Sequence, residues 1–251
     1  MNRNILFIFL FTAGLIQCKA QHQETTSTIA KHAMVVSANT FASNVGIAII
    51  KSGGNAVDAA IAVQFALAVV YPNAGNIGGG GFMVIRLANG ETATLDFREK
   101  APANSNRDMY LKADGEVNRN TVESTPLASG VPGSVDGMWE AHKKYGSVEW
   151  EKLLQPAIAL AEKGFVLTER QANELNNYKA EFEKVNPGKS YFIKETEWKA
   201  GDTLIQSDLA NTLKRIQQNG RDGFYKGETA NLIVQEMQNG NGIMQLSDLE
   251  N

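Results

Sequence analysis

The stretch GNIGGGGFMVIR, Gly75–Arg86, places five glycines in seven residues directly before an apolar run. Glycine-rich loops can turn their backbone N–H groups toward a bound phosphate. Here, however, neither a Lys-Ser or Lys-Thr pair nor the G-x-G-x-x-G spacing of nucleotide-binding loops is present. The preferred interpretation is a tight, closely packed turn leading into a strand, because glycine is the residue that such a turn requires.

A β-hairpin is predicted directly after the glycines. Phe82–Leu87 and Glu91–Phe97 are both strand-like, and Ala88-Asn89-Gly90 joins them. Asn-Gly between two such runs is a strong short-range signal for a hairpin. The hairpin places Arg98 at the end of its second strand, where side chains commonly project into sites.

Two helices are predicted before the glycine-rich stretch, preceded by a short strand over Ala33–Ser37. The first helix starts at Asn39 or Thr40 and closes at Lys51, before the stop signal Gly53-Gly54. The second covers Ala56–Val70, with Asn55 as its cap, and is apolar on nearly all faces. A helix of this kind is buried or lies in a membrane, and its length and polar residues favour a core helix.

The remainder of the chain is predicted to be mainly helical. Pro156 is expected to split or kink one of these helices. Capping-box patterns mark two helix starts, at Thr168 and at Ser247. The predicted helices are Val135–Tyr145, a segment capped by Ser147 and running to Lys163, a helix from Thr168 to about Glu183, Asp208–Gln218, and Glu228–Gln238.

The N-terminus has the pattern of a secretory signal peptide. Arg3 precedes the apolar run Ile5–Ile16, which is too short to span a bilayer as a helix. Residues 1–20 are predicted to be removed after Ala20, and residues 21–32 to be disordered. We therefore expect a periplasmic or secreted protein, with a lipid anchor on Cys18 as the alternative.

Charge and composition exclude several kinds of partner. The 251-residue chain has a net charge of −3, which becomes −5 without residues 1–20. A mildly acidic chain without a basic run argues against nucleic acid. His22, His32 and His142 lack the spacing of metal ligands, so no metal and no cofactor are predicted.

No complete catalytic set is visible. The hydroxyl residues before the predicted helix Val135–Tyr145 do not form a G-x-S-x-G nucleophile elbow, and nothing marks His142 as a base. These hydroxyls are expected to cap turns and helix ends. They are Ser124, Thr125, Ser129 and Ser134.

Arg98 is the one candidate for ligand binding. Its planar guanidinium can hold a carboxylate through two parallel hydrogen bonds. The alternative is a salt bridge to Asp96 or Glu99, and the residues alone slightly favour it, since arginines beside acids usually form surface pairs.

Several ordered motifs together resemble the large-subunit half of the gamma-glutamyltranspeptidases (glutathione hydrolases). The resemblance runs from about Ala33 to Asn251. The motifs are SGGNAVDAAIAVQFALAVV (Ser52–Val70), the glycine-rich stretch, LDFRE (Leu95–Glu99), ASGVPGSVDG (Ala128–Gly137), Gln155-Pro156-Ala157, Gly201-Asp202-Thr203-Leu204 and Phe224-Tyr225-Lys226-Gly227.

The resemblance implies an α+β fold, the four-layer αββα sandwich of the N-terminal nucleophile hydrolases, of which residues 33–251 would form an incomplete, helix-rich N-terminal portion. It also implies cleavage of the γ-glutamyl amide of glutathione and transfer of the γ-glutamyl group to water or amino acids, by a precursor that cuts itself in two. In that family the arginine of D-F-R-E binds the substrate α-carboxylate, so the resemblance assigns Arg98 this role and reverses the preference for a salt bridge.

The nucleophilic threonine of such enzymes lies in later sequence, and no Thr of this chain matches it. The chain by itself is therefore expected to be inactive, as a truncated large-subunit part whose partner is the C-terminal part and small subunit of the same precursor. Three alternatives remain open: a related acylase of the same fold, a non-catalytic remnant, and a secreted protein that binds γ-glutamyl compounds.

Overall fold

The computed structural model describes residues 28–186, 188 and 190–251. The predicted signal peptide, Cys18 and the first part of the segment 21–32 lie outside the described residues. Within the part that is described, residues 28–32 contain neither helix nor strand, and Ala33–Asn251 forms one compact unit. No helix in the described ranges is long and apolar enough to cross a bilayer.

Two capped helices begin this unit, as the sequence predicts. The side chain of Asn39 accepts a hydrogen bond from the N–H of Phe41 at the start of α1 (Thr40–Lys51). Asn55 and Asp58 form a reciprocal capping box at the start of α2 (Ala56–Val70). Residues on nearly all faces of α2 are buried, which confirms that it is a core helix.

The predicted hairpin is also confirmed. Strands β1 (Phe82–Arg86) and β2 (Thr92–Asp96) are antiparallel, with Val84 opposite Thr94. Gly90 has φ +91° in the turn, a conformation that glycine adopts without steric cost. The hairpin fixes the position at which the chain leaves β2 toward Arg98.

Nine further helices, two further short strands and irregular segments make up the rest of the described chain. The strands β3 (Phe165–Val166) and β4 (Thr203–Leu204) pair antiparallel. A 3₁₀ turn covers Pro126–Ala128. The helices are α3 (Arg119–Ser124), α4 (Ser134–Tyr145), α5 (Trp150–Lys163), α6 (Glu169–Asn177), α7 (Lys179–Val185), α8 (Ser207–Asn219), α9 (Asp222–Tyr225), α10 (Gly227–Asn239) and α11 (Leu246–Glu250).

The core lies where α5 packs between α2 and α8. Trp150 at the start of α5 is buried there, and its indole N–H donates to the carbonyl of Ile216 at 3.0 Å. Its ring meets those of Phe65 and Trp139 edge-on, with centroids 5.6 and 5.0 Å apart. Helix α4, which carries one wall of the candidate site, is thereby packed against the most buried part of the molecule.

Two local predictions are wrong for reasons of tertiary structure. Ala33–Ser37 is not a strand, because no neighbouring segment in the described chain forms a ladder with it. Ser147 does not cap α5, which begins at Trp150 after Glu149. The N–H and hydroxyl of Ser147 instead donate to the buried carboxylate of Asp58.

Three helix boundaries also differ from the prediction. Helix α5 continues through Pro156 without a break, which excludes the split but not the kink of the prediction. The helix capped by Thr168 ends at Asn177, and α7 begins only after Tyr178. Helix α11 is capped by Gln245 rather than by Ser247.

Candidate functional site

The segment that carries Arg98 is held between two other parts of the backbone. On one side Phe97 exchanges two hydrogen bonds with Gly81, at 3.0 and 3.3 Å. On the other side Lys100 exchanges two with Val131, at 3.2 and 2.8 Å. The glycine-rich stretch and the loop before α4 therefore enclose Arg98 from both sides.

Close packing explains why both enclosing segments are rich in glycine. A Cβ on Gly80 would lie 2.8 Å from the Cα of Arg98. A Cβ on Gly133 would lie 2.1 Å from the carbonyl oxygen of Phe97, and one on Gly137 would lie 2.1 Å from its ring. These distances are too short for any side chain, so the interpretation of the glycines as a closely packed turn is confirmed.

The glycine-rich turn is tied to the start of α4 by hydrogen bonds. The side-chain oxygen of Asn76 accepts from the N–H of Gly79 at 2.8 Å and lies 3.1 Å from the hydroxyl of Ser134. The carbonyl of Gly79 accepts from the N–H groups of Gly133 and Ser134. Asn76 and Gly79 thus bond to the protein itself, and Ser134 serves as a structural hydroxyl.

The side chain of Arg98 is open to a ligand. It is 67% exposed, and its Nε lies 4.0 Å from a carboxylate oxygen of Glu99. The carboxylate of Asp96 accepts from the backbone N–H of Arg98, at 3.1 Å. The guanidinium of Arg98 forms no hydrogen bond with the described residues and lies 5.9 Å from the ring centre of Phe82. A contact of 4.0 Å between exposed groups is weak, so the donors of the Arg98 guanidinium remain available to a ligand.

A cavity of about 390 Å³ lies beside Arg98, between the end of β2 and helices α4, α9 and α11. Its lining carries charges of both signs. Such a lining suits a zwitterion, since each charge of the ligand meets an opposite charge. The charged residues include Arg98, Lys100, Arg221, Asp136, Glu140 and Asp248.

A buried tyrosine forms the floor of this cavity. The hydroxyl of Tyr225 donates to the carbonyl of Pro132 at 2.9 Å and accepts from the N–H of Asp136 at 3.2 Å. Burial raises the pKa of Tyr225 to about 12, so the phenol stays neutral. The guanidinium of Arg221 lies 4.6 Å from the centre of the tyrosine ring and binds the carboxylate of Asp136 at 2.8 Å.

Sequence reasoning gave no role to this cluster. Tyr225 belongs to the F-Y-K-G motif, which contributes to the family resemblance, yet its partners Pro132 and Asp136 are 93 and 89 residues away in sequence. No local pattern connects positions so far apart. The one signal in the sequence that could have pointed to Tyr225 is the F-Y-K-G motif, in which an aromatic residue precedes a lysine and a glycine.

The other polar candidates are not brought together with Arg98. The hydroxyl of Thr125 donates to the carbonyl of Thr121, Ser124 ends α3 and Ser129 follows the 3₁₀ turn. The Nε2 of His142 lies 2.7 Å from the carbonyl of Val148. Among the described residues, no three His, Cys, Asp or Glu side chains are grouped as metal ligands.

Comparison with known proteins gives consistent results. The sequence profile of the family "Gamma-glutamyltranspeptidase" matches residues 42–251. The chain is 50% identical over 223 residues to the glutathione hydrolase proenzyme of Pseudomonas sp. strain A14, covering 88% of this chain and 39% of that protein. It is 48% identical over 222 residues to the glutathione hydrolase proenzyme of Escherichia coli K12, covering 88% of this chain and 38% of that protein. The chain thus spans about two fifths of the length of these curated relatives.

A solved structure shows the same fold. The crystal structure of Helicobacter pylori gamma-glutamyltranspeptidase matches with a TM-score of 0.86 and 45% identity, over 90% of this chain and 65% of that chain. The predicted fold class is thereby confirmed: an α+β fold, the helix-rich N-terminal portion of the N-terminal nucleophile hydrolase sandwich.

Proposed function

The chain belongs to the gamma-glutamyltranspeptidase family, and on this basis we propose that it forms the substrate-binding part of a glutathione hydrolase and γ-glutamyltransferase. The observation that carries the proposal is the exposed guanidinium of Arg98, held by its backbone at the edge of a cavity with charges of both signs. Arg98 binds the α-carboxylate of a γ-glutamyl group by two parallel hydrogen bonds. The acidic residues of the lining favour the α-ammonium.

Binding at this end of the substrate fixes the direction of its γ-carbonyl, which is what a nucleophile needs. The nucleophile is a threonine in the part of the family's length that this chain does not span. Its hydroxyl oxygen bonds to the γ-carbonyl carbon, the amide C–N bond breaks, and the leaving amine takes up the hydroxyl proton. Water or an amino acid then takes the γ-glutamyl group from the threonine, and no cofactor is required.

The proposal extends to location and partners. The protein is exported, with the N-terminal twenty residues as its signal, and is periplasmic or secreted. Its substrates are glutathione and other γ-glutamyl compounds. It acts with the remainder of the same precursor, including the small subunit, and the two together are called the assembled enzyme below.

The test is the substitution of Arg98→Ala and Arg98→Lys in the assembled enzyme, with γ-glutamyl anilide as substrate. Loss of a charged hydrogen-bonding partner of the substrate costs about 2–5 kcal/mol, so kcat/KM should fall by roughly 30-fold or more in Arg98→Ala. Arg98→Lys should recover only part of it, because an ammonium cannot replace the planar fork. The matched control is Arg119→Ala, which removes an exposed arginine whose pair is on the surface of α3. Unchanged kcat/KM in Arg98→Ala would contradict the proposal.

A second measurement distinguishes a γ-glutamyl enzyme from a related acylase of the same fold. An anilide that lacks the α-carboxylate should be a poor substrate of the unsubstituted enzyme and should be affected little by Arg98→Ala. An acylase for another acyl group would hydrolyse that compound as readily as the γ-glutamyl anilide.

Binding without catalysis is the second candidate, because Arg98 and its cavity are both formed within this chain. Calorimetry of the chain with glutathione tests it. Micromolar binding, which corresponds to about −8 kcal/mol, would favour a binding protein. If the chain does not bind glutathione and shows no activity with the rest of the precursor, it is a non-catalytic remnant.

A further inference from the structure

Tyr225 connects three parts of the chain through one buried hydroxyl. The residue ends α9 and is 2% exposed. Its hydroxyl is both donor and acceptor, to the carbonyl of Pro132 and from the N–H of Asp136. It therefore fixes the last residues of the loop before α4 and the first turn of that helix.

The same loop holds the backbone of Arg98. Val131, next to Pro132, exchanges two hydrogen bonds with Lys100. On the other side of Pro132, a Cβ on Gly133 would lie 2.1 Å from the carbonyl oxygen of Phe97 and 3.1 Å from that of Arg98. A shift of this loop must therefore shift the segment that carries Arg98, since there is no free space between them.

The position of the Arg98 side chain depends on this backbone. Its guanidinium has no hydrogen bond to hold it within the described part of the chain, and its approach to Glu99 is 4.0 Å. A bidentate pair with a carboxylate is sensitive to displacement, and a misplacement of about 1 Å can cost a factor of about 100 in rate. Its position must therefore be set by the backbone segment that carries it, from Phe97 to Lys100.

We infer that Tyr225 is a positioning residue for Arg98, acting through Pro132 and the first turn of α4 on the binding of the substrate α-carboxylate. The inference rests on the proposed function. Both hydrogen bonds of the Tyr225 hydroxyl go to the protein backbone, so it acts on the substrate through Arg98. Arg221 helps to hold Tyr225 in place, because its guanidinium lies over the tyrosine ring and binds the carboxylate of Asp136.

The experiment is the substitution Tyr225→Phe in the assembled enzyme. It removes the hydroxyl, keeps the ring, and leaves the carbonyl of Pro132 and the N–H of Asp136 without their partner. The KM for γ-glutamyl anilide should rise about fivefold, as expected for a lost hydrogen bond, while kcat stays within about twofold. The control is Tyr178→Phe. Tyr178 is 58% exposed, and its hydroxyl has no hydrogen bond to a described residue.

A double-substitution cycle separates positioning from general stability. In an Arg98→Lys background, where the bidentate pair is already lost, Tyr225→Phe should change KM by less than about twofold. A similar rise in KM in both backgrounds would overturn the inference and leave the proposed function standing. So would a Tyr225→Phe enzyme of unchanged KM, whatever its melting temperature. If Arg98→Ala itself has the kcat/KM of the unsubstituted enzyme, the proposed function is overturned, and this inference with it.

Discussion

Gly133 lies against Phe97 so closely that a Cβ on the glycine would come within 2.1 Å of the carbonyl oxygen of the phenylalanine. The contact joins the loop before α4 to the end of β2, directly beside Arg98. Because the obstacle is backbone on both sides, neither partner can move aside as a flexible side chain would. The contact explains a glycine that the backbone conformation alone does not require, since Gly133 has φ −115°.

Gly133→Ala should therefore destabilise the protein by steric overlap. We expect a loss of about 3 kcal/mol in the free energy of unfolding, at the upper end of the usual cost of overpacking. Urea unfolding followed by circular dichroism measures it. Gly78→Ala is the matched control, because a Cβ at Gly78 meets no atom within 4 Å, and it should be neutral within about 0.5 kcal/mol. Equal stability of the two variants would contradict the packing described.

Asp58 offers a second prediction, since its buried carboxylate joins α2 to the segment before α5. It accepts from the N–H of Asn55 at 2.9 Å, and from the N–H and hydroxyl of Ser147 at 3.0 and 2.6 Å. Asp58→Asn replaces an acceptor by an amide that cannot accept all of these bonds, so it should cost about 3 kcal/mol. Asp208→Asn, at an exposed position in the first turn of α8, should cost less than about 1 kcal/mol. Comparable losses in the two variants would argue against Asp58 as a buried junction.

The same carboxylate should make stability depend on acid. Burial would raise the pKa of Asp58, but the hydrogen bonds from Ser147, Asn55 and Val148 outweigh it, so its pKa lies below the ordinary 3.8. The unfolded chain therefore binds the proton at higher pH than the folded one. The contribution is fully present well above pH 3.8 and is lost as the pH falls through the lower, folded-state pKa.

Urea unfolding between about pH 6 and about pH 3 tests this sign. Asp58→Asn should lose less stability over the acid part of that range than the unsubstituted protein does. A variant whose stability falls in parallel with that of the unsubstituted protein would show that other carboxylates cause the acid sensitivity.

Asn176 should hold the backbone of Trp198 in place. Its side chain accepts from the N–H of Trp198 at 2.8 Å and donates to the carbonyl of the same residue at 2.9 Å. Asn176→Ala removes both bonds, so the amide of Trp198 should exchange hydrogen at least about tenfold faster. Asn177→Ala, at the exposed neighbouring position, is the control. Unchanged protection of Trp198 in Asn176→Ala would mean that other contacts hold this segment.

The sequence predicts those features that depend on a few neighbouring residues. Asn89-Gly90 gives the hairpin, because the turn needs a residue that tolerates positive φ. Asn55 and Thr168 give helix starts, because a cap acts on N–H groups two or three residues away. Arg98 could be named as the candidate for ligand binding because the family resemblance marks it.

Two of the wrong predictions failed because a contact with a distant part of the chain is decisive. Ala33–Ser37 has the composition of a strand, but a strand also needs a partner, and the described chain supplies none. Ser147 has the chemistry of a cap, but Asp58, 89 residues earlier, takes its hydrogen bonds. The end of α6 at Asn177 is likewise not marked by glycine or proline.

The sequence by itself determined the hairpin, the capped helices, the family and the choice of Arg98 as the candidate for ligand binding. It could do so because periodicity, turn chemistry and motifs act over short distances. Only the tertiary structure decided why Gly80, Gly133 and Gly137 must be glycine. It alone brought Tyr225 beneath the loop that holds Arg98. The physical reason is that steric exclusion and buried hydrogen bonds join residues far apart in sequence, up to 93 positions for Tyr225 and Pro132, and no local pattern records which of them will meet.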